Sequence, residues 1–300
     1  MSEFWYRAFD KIWQRTAVSD AKTHARQVLP AGITEVDNIP YADDGDHYHL
    51  FDAYYPAEND GALPVIIDIH GGGWMYADKD LNKFYNQYLA ARGFLVFSMS
   101  YRLVPTVNVT DQIRDVSLAL KAIGEKMKDL PCDPGKIMLT GDSAGGMLAA
   151  FAAALSESAA LREHFGAADH GLHFSCVTLT SPVAYMNAPD LVGSYCRVMW
   201  GKPAFRVSPE PYMDFDELLG AVPSLPPMLL ITSDGDVLAR GQTLRLHADL
   251  MKKGVPSRLL NFGSPGGKLL PHVFAVLEPE SPMGRKALDE TAAFFRGIAG

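Results

Sequence analysis

Short apolar runs alternate along this chain with segments of helical periodicity, and this alternation limits the possible folds more than any other feature. Residues 64–69, 94–99 and 227–232 are such runs, rich in Val, Ile, Leu, Met and Phe. A strand that is apolar throughout has to be buried on both faces, as in a parallel sheet covered by helices on both sides. We therefore predict an α/β fold with a mostly parallel central sheet and helices on both faces.

The order of predicted elements follows from this pattern. Asp111 is predicted as the N-cap of one helix and Gly254 as the residue that ends another. We predict strands at residues 47–55, 64–69, 94–99, 136–140, 174–179, 227–232 and 257–262, and helices at residues 3–28 (with a break near Ser19), 80–92, 111–129, 146–155, 241–253 and 282–297.

Residues 1–300 are predicted to form a single domain with two additions to the sheet. Residues 182–226 are rich in Pro and aromatic residues and too long for a plain connection, so we predict a small cap or lid insertion. Residues 1–40 are predicted to form a helical flap. The alternatives for its helix are packing on its own domain, covering an apolar pocket, or a contact in a homodimer.

The sequence Gly-Asp-Ser-Ala-Gly at residues 141–145 stands between a strand-like run and an Ala-rich helical run. A serine on a tight strand-to-helix turn is pushed out of the sheet, and small neighbours are needed because the turn is strained. The N–H of Ala144 then lies at a helix N-terminus, where it favours developing negative charge. We interpret Ser143 as a nucleophile, the alternative being a turn that only allows close packing.

A serine hydroxyl is a weak nucleophile, so it needs a base within hydrogen-bond reach and an acid that orients the base. Asp234 and Asp236 both follow the strand predicted at 227–232. Asp234 has the sequence context of a turn, so Asp236 is the preferred acid and Asp234 the alternative. His272 follows the last strand in a Gly/Pro-rich loop and is the predicted base, unless it is simply a histidine on a surface loop.

The sequence His-Gly-Gly-Gly-Trp at residues 70–74 follows directly after a buried strand. Three glycines let the backbone turn its N–H groups toward a ligand. Together with the N–H of Ala144, these groups can complete an oxyanion hole. We expect His70 to fix this loop rather than to transfer protons.

With these motifs the chain resembles the α/β-hydrolases, and within them the esterase and lipase branch that is similar to hormone-sensitive lipase. Residues 70–73 and 141–146 match the two signatures of that branch, and the resemblance extends over residues 45–297. Three shorter elements also match, at residues 100–105, 236–238 and 272–274.

The resemblance implies an α/β-hydrolase fold and a set of site residues. One departure concerns residues 239–241, which are Ala-Arg-Gly where the branch often has an acidic residue and Gly, so the substrate range transfers less directly than the triad. The implied catalytic triad is Ser143, Asp236 and His272, and the implied oxyanion donors are Gly71, Gly72 and Ala144.

These residues predict a serine esterase that works through an acyl-enzyme and needs no metal or organic cofactor. The expected substrate is a small-molecule ester with a short acyl group such as acetyl, carried by a carbohydrate or a small alcohol. One alternative is an arylformamidase-like amide hydrolase, because those enzymes share a His-Gly-Gly signature followed by Trp, as at residues 70–74. A non-catalytic receptor on the same fold is a further alternative, although such proteins typically lose a triad member.

Composition bears on partners and location. The net charge of −8 disfavours nucleic acid and anionic membranes as partners. The 3 cysteines lack metal-site spacing, which predicts reduced thiols. The first residues carry charges and no long apolar segment, so we expect no signal peptide, no membrane span and a cytoplasmic location.

Overall fold

The computed structural model describes residues 3–199 and 211–300 of the chain. A single β-sheet forms the centre of this part. Its strands are β1 (Ile33–Pro40), β2 (Leu50–Pro56), β3 (Leu63–Ile69), β4 (Leu95–Met99), β5 (Cys132–Asp142), β6 (Cys176–Thr180), β7 (Met228–Ser233) and β8 (Ser257–Phe262). They lie in the order β1-β2-β4-β3-β5-β6-β7-β8. Strands β3 to β8 pair in parallel, and β1 and β2 form an antiparallel edge. The mostly parallel sheet is therefore confirmed.

Helices surround this sheet, as the α/β pattern predicts. Among the described helices, none combines the length and hydrophobicity that crossing a bilayer requires. Their bounds are α1 (Glu3–His24), α2 (Lys83–Ala90), α3 (Val109–Lys126), α4 (Ser143–Glu157), α5 (Ala159–Phe165), α6 (Leu191–Met199), α7 (Phe215–Gly220), α8 (Arg240–Lys253), α9 (Phe274–Leu277) and α10 (Pro282–Ala299).

Several helix boundaries differ from the prediction by a few residues, and the start of α3 has a local reason. Helix α3 begins at Val109 because the Asn108 side chain accepts from the Asp111 N–H, and the Asp111 carboxylate accepts from the Asn108 N–H in return. Asp111 is thus the third residue of a capping box and not the N-cap. Helix α1 runs through Ser19 without a break. The predicted end of α8 is confirmed, since Gly254 adopts a left-handed conformation with φ of 82°.

Helix α4 is the centre of the core and carries the start of the site. Its residues from Ala144 to Leu155 are all buried, which suits a helix that is apolar on every side. It packs against β3, β5 and β6, and its first residue directly follows the last residue of β5. The N-terminus of this buried helix therefore lies at the edge of the sheet formed by the carboxyl ends of the parallel strands. Ligands bind at this edge in folds of this kind.

The predicted flap and cap segments lie near each other in the structure. Helix α1 contacts α6, which belongs to the predicted insertion at residues 182–226. The insertion also contains α7, and its residues 200–210 are outside the described part of the chain. The division into a flap, a cap and one domain remains a prediction.

Candidate active site

Ser143 stands at the sharp turn where β5 passes into α4. Its φ of 50° lies in the left-handed region, which a non-glycine residue adopts rarely and at an energetic cost. Asp142 before it still has an extended conformation. This abrupt change of backbone direction exposes the serine side chain to the cavity described below, while its neighbours Asp142 and Ala144 are buried.

The structure brings Ser143, His272 and Asp236 into one hydrogen-bonded row. The distance from Ser143 Oγ to His272 Nε2 is 3.0 Å, and the distance from His272 Nδ1 to Asp236 Oδ1 is 2.9 Å. The alternative acid, Asp234, is exposed and binds Asn261 at 2.8 Å instead. An imidazole between a hydroxyl and a carboxylate can take a proton from the hydroxyl while the carboxylate fixes its tautomer.

The Asp236 carboxylate is buried and well supplied with donors. Oδ1 accepts from the backbone N–H groups of Leu238 at 3.1 Å and Ala239 at 2.9 Å, and Oδ2 accepts from the Thr232 hydroxyl at 3.2 Å. Burial raises the pKa of Asp236, but the hydrogen bond and charge of His272, with the other donors, outweigh it and lower the pKa to about 2. The carboxylate is therefore ionised wherever the protein works near neutral pH.

The carbonyl groups of the glycine loop after β3 accept hydrogen bonds from other parts of the protein. The Tyr101 hydroxyl lies 2.8 Å from the His70 carbonyl and 3.1 Å from that of Gly71. The Gly72 carbonyl accepts from the N–H of Tyr76 at 3.0 Å. Gly72 and Gly73 have φ of 100° and 56°, a conformation that glycine adopts without a Cβ penalty.

The N–H groups of this loop differ from the prediction at one position. The Gly71 N–H donates to Asp142 Oδ1 at 3.0 Å, so it already has an acceptor within the protein. Gly72 and Gly73 line the cavity beside Ser143, and their N–H groups have no hydrogen-bond partner among the described residues. The bond to Asp142 argues against Gly71 as an oxyanion donor and favours Gly73 beside Gly72, and this assignment remains a proposal. The sequence signal for it is Asp142, since a buried carboxylate needs a nearby donor.

His70 is placed as a structural residue. It is fully buried, its ring stacks on Tyr101 with centroids 4.4 Å apart, and its Nδ1 lies 2.8 Å from the Gly71 carbonyl oxygen. Burial lowers the pKa of His70 to about 4, since the charged form would lose its hydration. A neutral, stacked imidazole fixes the loop, as expected from the sequence.

A second buried carboxylate, Asp68, lies beneath the site. The Asn82 side-chain amide donates to both Asp68 Oδ2 and Asp142 Oδ1, each at 2.9 Å, and Asn86 donates to Asp68 at 3.0 Å. Burial and the neighbouring charge of Asp142 raise the pKa of Asp68 to about 7. Burial also raises the pKa of Asp142, to about 6, although hydrogen bonds and the charge of His272 oppose the shift. The two carboxylates of Asp68 and Asp142 are therefore more readily protonated than ordinary aspartates.

A cavity of about 430 Å³ opens in front of Ser143 and His272. Its far wall comes from α1 and α6, and most of its side chains are aliphatic or aromatic. The α1 and α6 side chains lining it are Phe9, Ile12, Trp13, Thr16, Asp20, Leu191, Val192 and Tyr195. Among the described residues, no cluster of three or more His, Cys, Asp or Glu side chains is arranged to hold a metal ion.

Comparisons with known proteins agree with this geometry. The BD-FAE family model matches residues 51–193. The isoprenylcysteine alpha-carbonyl methylesterase ICME of Arabidopsis thaliana is 33% identical over 101 residues, which are 34% of this chain and 24% of that protein. The carboxylesterase NlhH of Mycobacterium tuberculosis is 35% identical over 104 residues, which are 34% of this chain and 33% of that protein. The chain thus spans a quarter to a third of these curated relatives.

The likeness to solved structures extends over the whole chain. Esterase B of Lactobacillus rhamnosis (HN001) superposes with a TM-score of 0.91 at 29% identity, covering 99% of this chain and 96% of that one. The sheet order, the serine at the strand-to-helix turn and these relatives agree with one another. The chain has the α/β-hydrolase fold, and in sequence and structure it is similar to esterases of that fold.

Proposed function

We propose that this protein is a serine carboxylesterase. The observation that carries the proposal is the continuous row from Ser143 Oγ through His272 to Asp236, with bonds of 3.0 and 2.9 Å. The row ends in a cavity beside backbone N–H groups that lack a partner among the described residues. Hydrolysis of an ester through an acyl-enzyme uses each of these parts.

Each residue has one role in the proposed reaction. Ser143 Oγ forms a bond to the ester carbonyl carbon while His272 Nε2 takes its proton. The carbonyl oxygen becomes an oxyanion that accepts from the N–H groups of Gly72, Gly73 and Ala144. His272 then gives its proton to the leaving alcohol, and in the second half it activates the water that releases the acid. Asp236 orients His272 and stabilises its charged form.

If the acyl group is short, such as acetyl, as the sequence predicts, the apolar lining of the cavity favours an apolar alcohol portion. A volume of about 430 Å³ exceeds what an acetyl group fills, so most of the space serves the alcohol portion. The carboxylates of Asp20 and Asp142 in the wall disfavour an anionic substrate. Carbohydrate esters are the weaker candidate, because their hydroxyls would meet mainly aliphatic and aromatic side chains.

We further propose that α1, from the predicted flap, and α6, from the predicted insertion, cover the site together, whereas Ile33–Pro40 of the predicted flap belongs to the sheet as β1. Helix α1 and helix α6 both line the cavity, and they touch each other through Phe9 and Tyr195, whose ring centroids lie 4.5 Å apart. A cover of this kind excludes water from the acyl-enzyme and shapes the alcohol side of the site.

The test is a hydrolysis profile on p-nitrophenyl esters from C2 to C12, run on wild type and Ser143→Ala. We expect the highest kcat/KM at C2 to C4, and a loss of about 10⁶-fold in kcat for the variant. An N-formyl aryl amine assayed in parallel separates an esterase from an amide hydrolase. A fluorophosphonate probe that leaves folded wild type unlabelled would contradict the proposal and favour a non-catalytic receptor.

A further inference from the structure

Tyr195 of α6 reaches from the insertion to the glycine loop. Its hydroxyl donates to the Gly73 carbonyl oxygen at 2.8 Å, a contact between residues 122 positions apart. Its ring lies against Phe9 of α1, with centroids 4.5 Å apart, and nearly parallel to Trp74, with centroids 6.4 Å apart. The side chain therefore joins the cap, the N-terminal helix and the loop that bears the oxyanion donors.

Trp13 of α1 packs on the same glycine. A Cβ atom at Gly73 would lie 2.4 Å from Trp13 Cζ2 and 3.1 Å from Tyr195 Oη, so both side chains sit directly against the backbone. The Trp13 ring also stacks on Tyr76, with centroids 5.4 Å apart. Gly73 is thus enclosed by two residues from segments outside the α/β core.

The Gly73 carbonyl differs from the neighbouring carbonyls in the part of the fold from which it receives its hydrogen bond. The His70, Gly71, Gly72 and Trp74 carbonyls accept from groups of the loop or of the surrounding core: Tyr101, Met75, Tyr76, Val104 and Gln112. Among residues 70–74, only the Gly73 carbonyl accepts a hydrogen bond from a described residue of the insertion. Because glycine has wide conformational freedom, its peptide groups depend on such contacts for a fixed orientation.

We infer that Tyr195 is a positioning residue for the oxyanion hole, and that the cap thereby acts on the chemical step as well as on substrate binding. The inference rests on the proposed esterase function. The Tyr195 hydroxyl fixes the carbonyl of Gly73, and only two torsions separate that carbonyl from the N–H of the same residue. When α6 is packed in place, the Gly73 N–H is held toward the substrate oxygen. When the hydrogen bond from Tyr195 to Gly73 is lost, this N–H is no longer fixed in that orientation.

Tyr195→Phe tests this, because it removes the hydroxyl and keeps the ring that packs on Phe9 and Trp74. We expect kcat to fall about 10-fold with KM changed less than twofold, as for a donor that is displaced but not deleted. The Ki of a trifluoromethyl ketone, whose adduct carries an oxyanion, should rise by the same factor. The Kd of an ether analogue of this ketone should not change, because the ether has no electrophilic carbonyl and so forms no oxyanion.

Tyr185→Phe is the matched control. Tyr185 is also in the insertion, its hydroxyl donates to Asp249 at 2.5 Å, and it does not line the cavity. Its loss should leave kcat and the ketone Ki at wild-type values. A Tyr195→Phe enzyme with wild-type kcat and Ki, or with a raised KM alone, would overturn the inference while the esterase proposal stands. An inactive wild type would overturn both.

Discussion

Gly71 and Asp142 are joined by a hydrogen bond of 3.0 Å, from the backbone N–H of the first loop glycine to the carboxylate before the serine. The bond ties the glycine loop to the turn that carries Ser143. It crosses from the end of β3 to the end of β5, so these two neighbouring strands hold the proposed oxyanion donors and the nucleophile at a fixed separation. Such alignment of reacting groups accounts for a large part of catalysis.

Asp142→Ala should therefore lower kcat by about 10- to 100-fold, because it frees the Gly71 N–H and lets the loop shift against the serine. Asp142→Asn retains an acceptor oxygen for Gly71 and should lose much less activity. The measurement is kcat and KM for both variants, with thermal melting to show that they are folded. Equal activity of the two variants would mean that the hydrogen bond between Gly71 and Asp142 does not contribute to catalysis.

The two aspartates after β7 should behave differently. Asp236→Asn should lower kcat by about 10³- to 10⁴-fold, because an amide would stabilise the wrong tautomer of His272 and would not balance its charge. Asp234→Asn changes an exposed side chain bound to Asn261 and should alter kcat less than twofold. Steady-state kinetics on both variants compares them directly. A larger loss in Asp234→Asn would assign the acid to the other position.

Much of the fold could be predicted because its signals are local. The buried parallel strands are continuous apolar runs, and the turn at Ser143 shows in the small residues around it. Strand β1 was not predicted, because it is a partly exposed edge strand whose sequence, Ile-Thr-Glu-Val-Asp-Asn-Ile-Pro, has no apolar run. Helices α6 and α7 were also missed, since their stretch of chain is rich in Pro and aromatic residues, which obscures helical periodicity.

The choice among the loop glycines could not be made from the sequence. Which N–H is free depends on where the Asp142 carboxylate lies after folding, 71 positions from Gly71. The contact of Tyr195 with Gly73 is longer still in sequence, at 122 positions. The triad was accessible because chain order and strand ends constrain it, whereas these contacts depend on side-chain packing that no periodicity encodes.

Gly145 and Gly241 form a matched pair of helical glycines for a stability test. A Cβ at Gly145 would lie 2.1 Å from the Ile69 carbonyl oxygen and 2.2 Å from that of His70, so α4 would have to move away from β3. Gly145→Ala should therefore destabilise the fold by about 3 kcal/mol or more, or prevent folding.

Gly241, in the first turn of α8, has no atom within 4 Å of an added Cβ. Gly241→Ala should change the free energy of unfolding by less than about 1 kcal/mol, in the stabilising direction, because alanine has the higher helix propensity. Urea unfolding of both variants provides the comparison. A Gly145→Ala protein as stable as Gly241→Ala would show that the approach of α4 to β3 is not a tight constraint.

Asp68 should make the protein less stable as the pH rises. Its pKa is about 7 in the folded state, well above the roughly 3.9 of an unfolded aspartate. Between these two values the folded chain binds more protons than the unfolded chain, so the free energy of unfolding falls as the pH rises from about 4 to about 7. The shift at Asp142 acts in the same direction, and the low pKa of Asp236 affects only more acidic solutions.

Asp68→Asn removes this effect. Its amide oxygen can still accept from Asn82 and Asn86, and its amide N–H can donate to their buried Oδ1 atoms, which have no partner among the described residues. We expect urea unfolding at pH 5 to give similar stability for variant and wild type, and unfolding at pH 8 to show the variant as the more stable. A difference that does not grow between pH 5 and pH 8 would mean that Asp68 is ionised throughout, with its charge balanced by its amide partners.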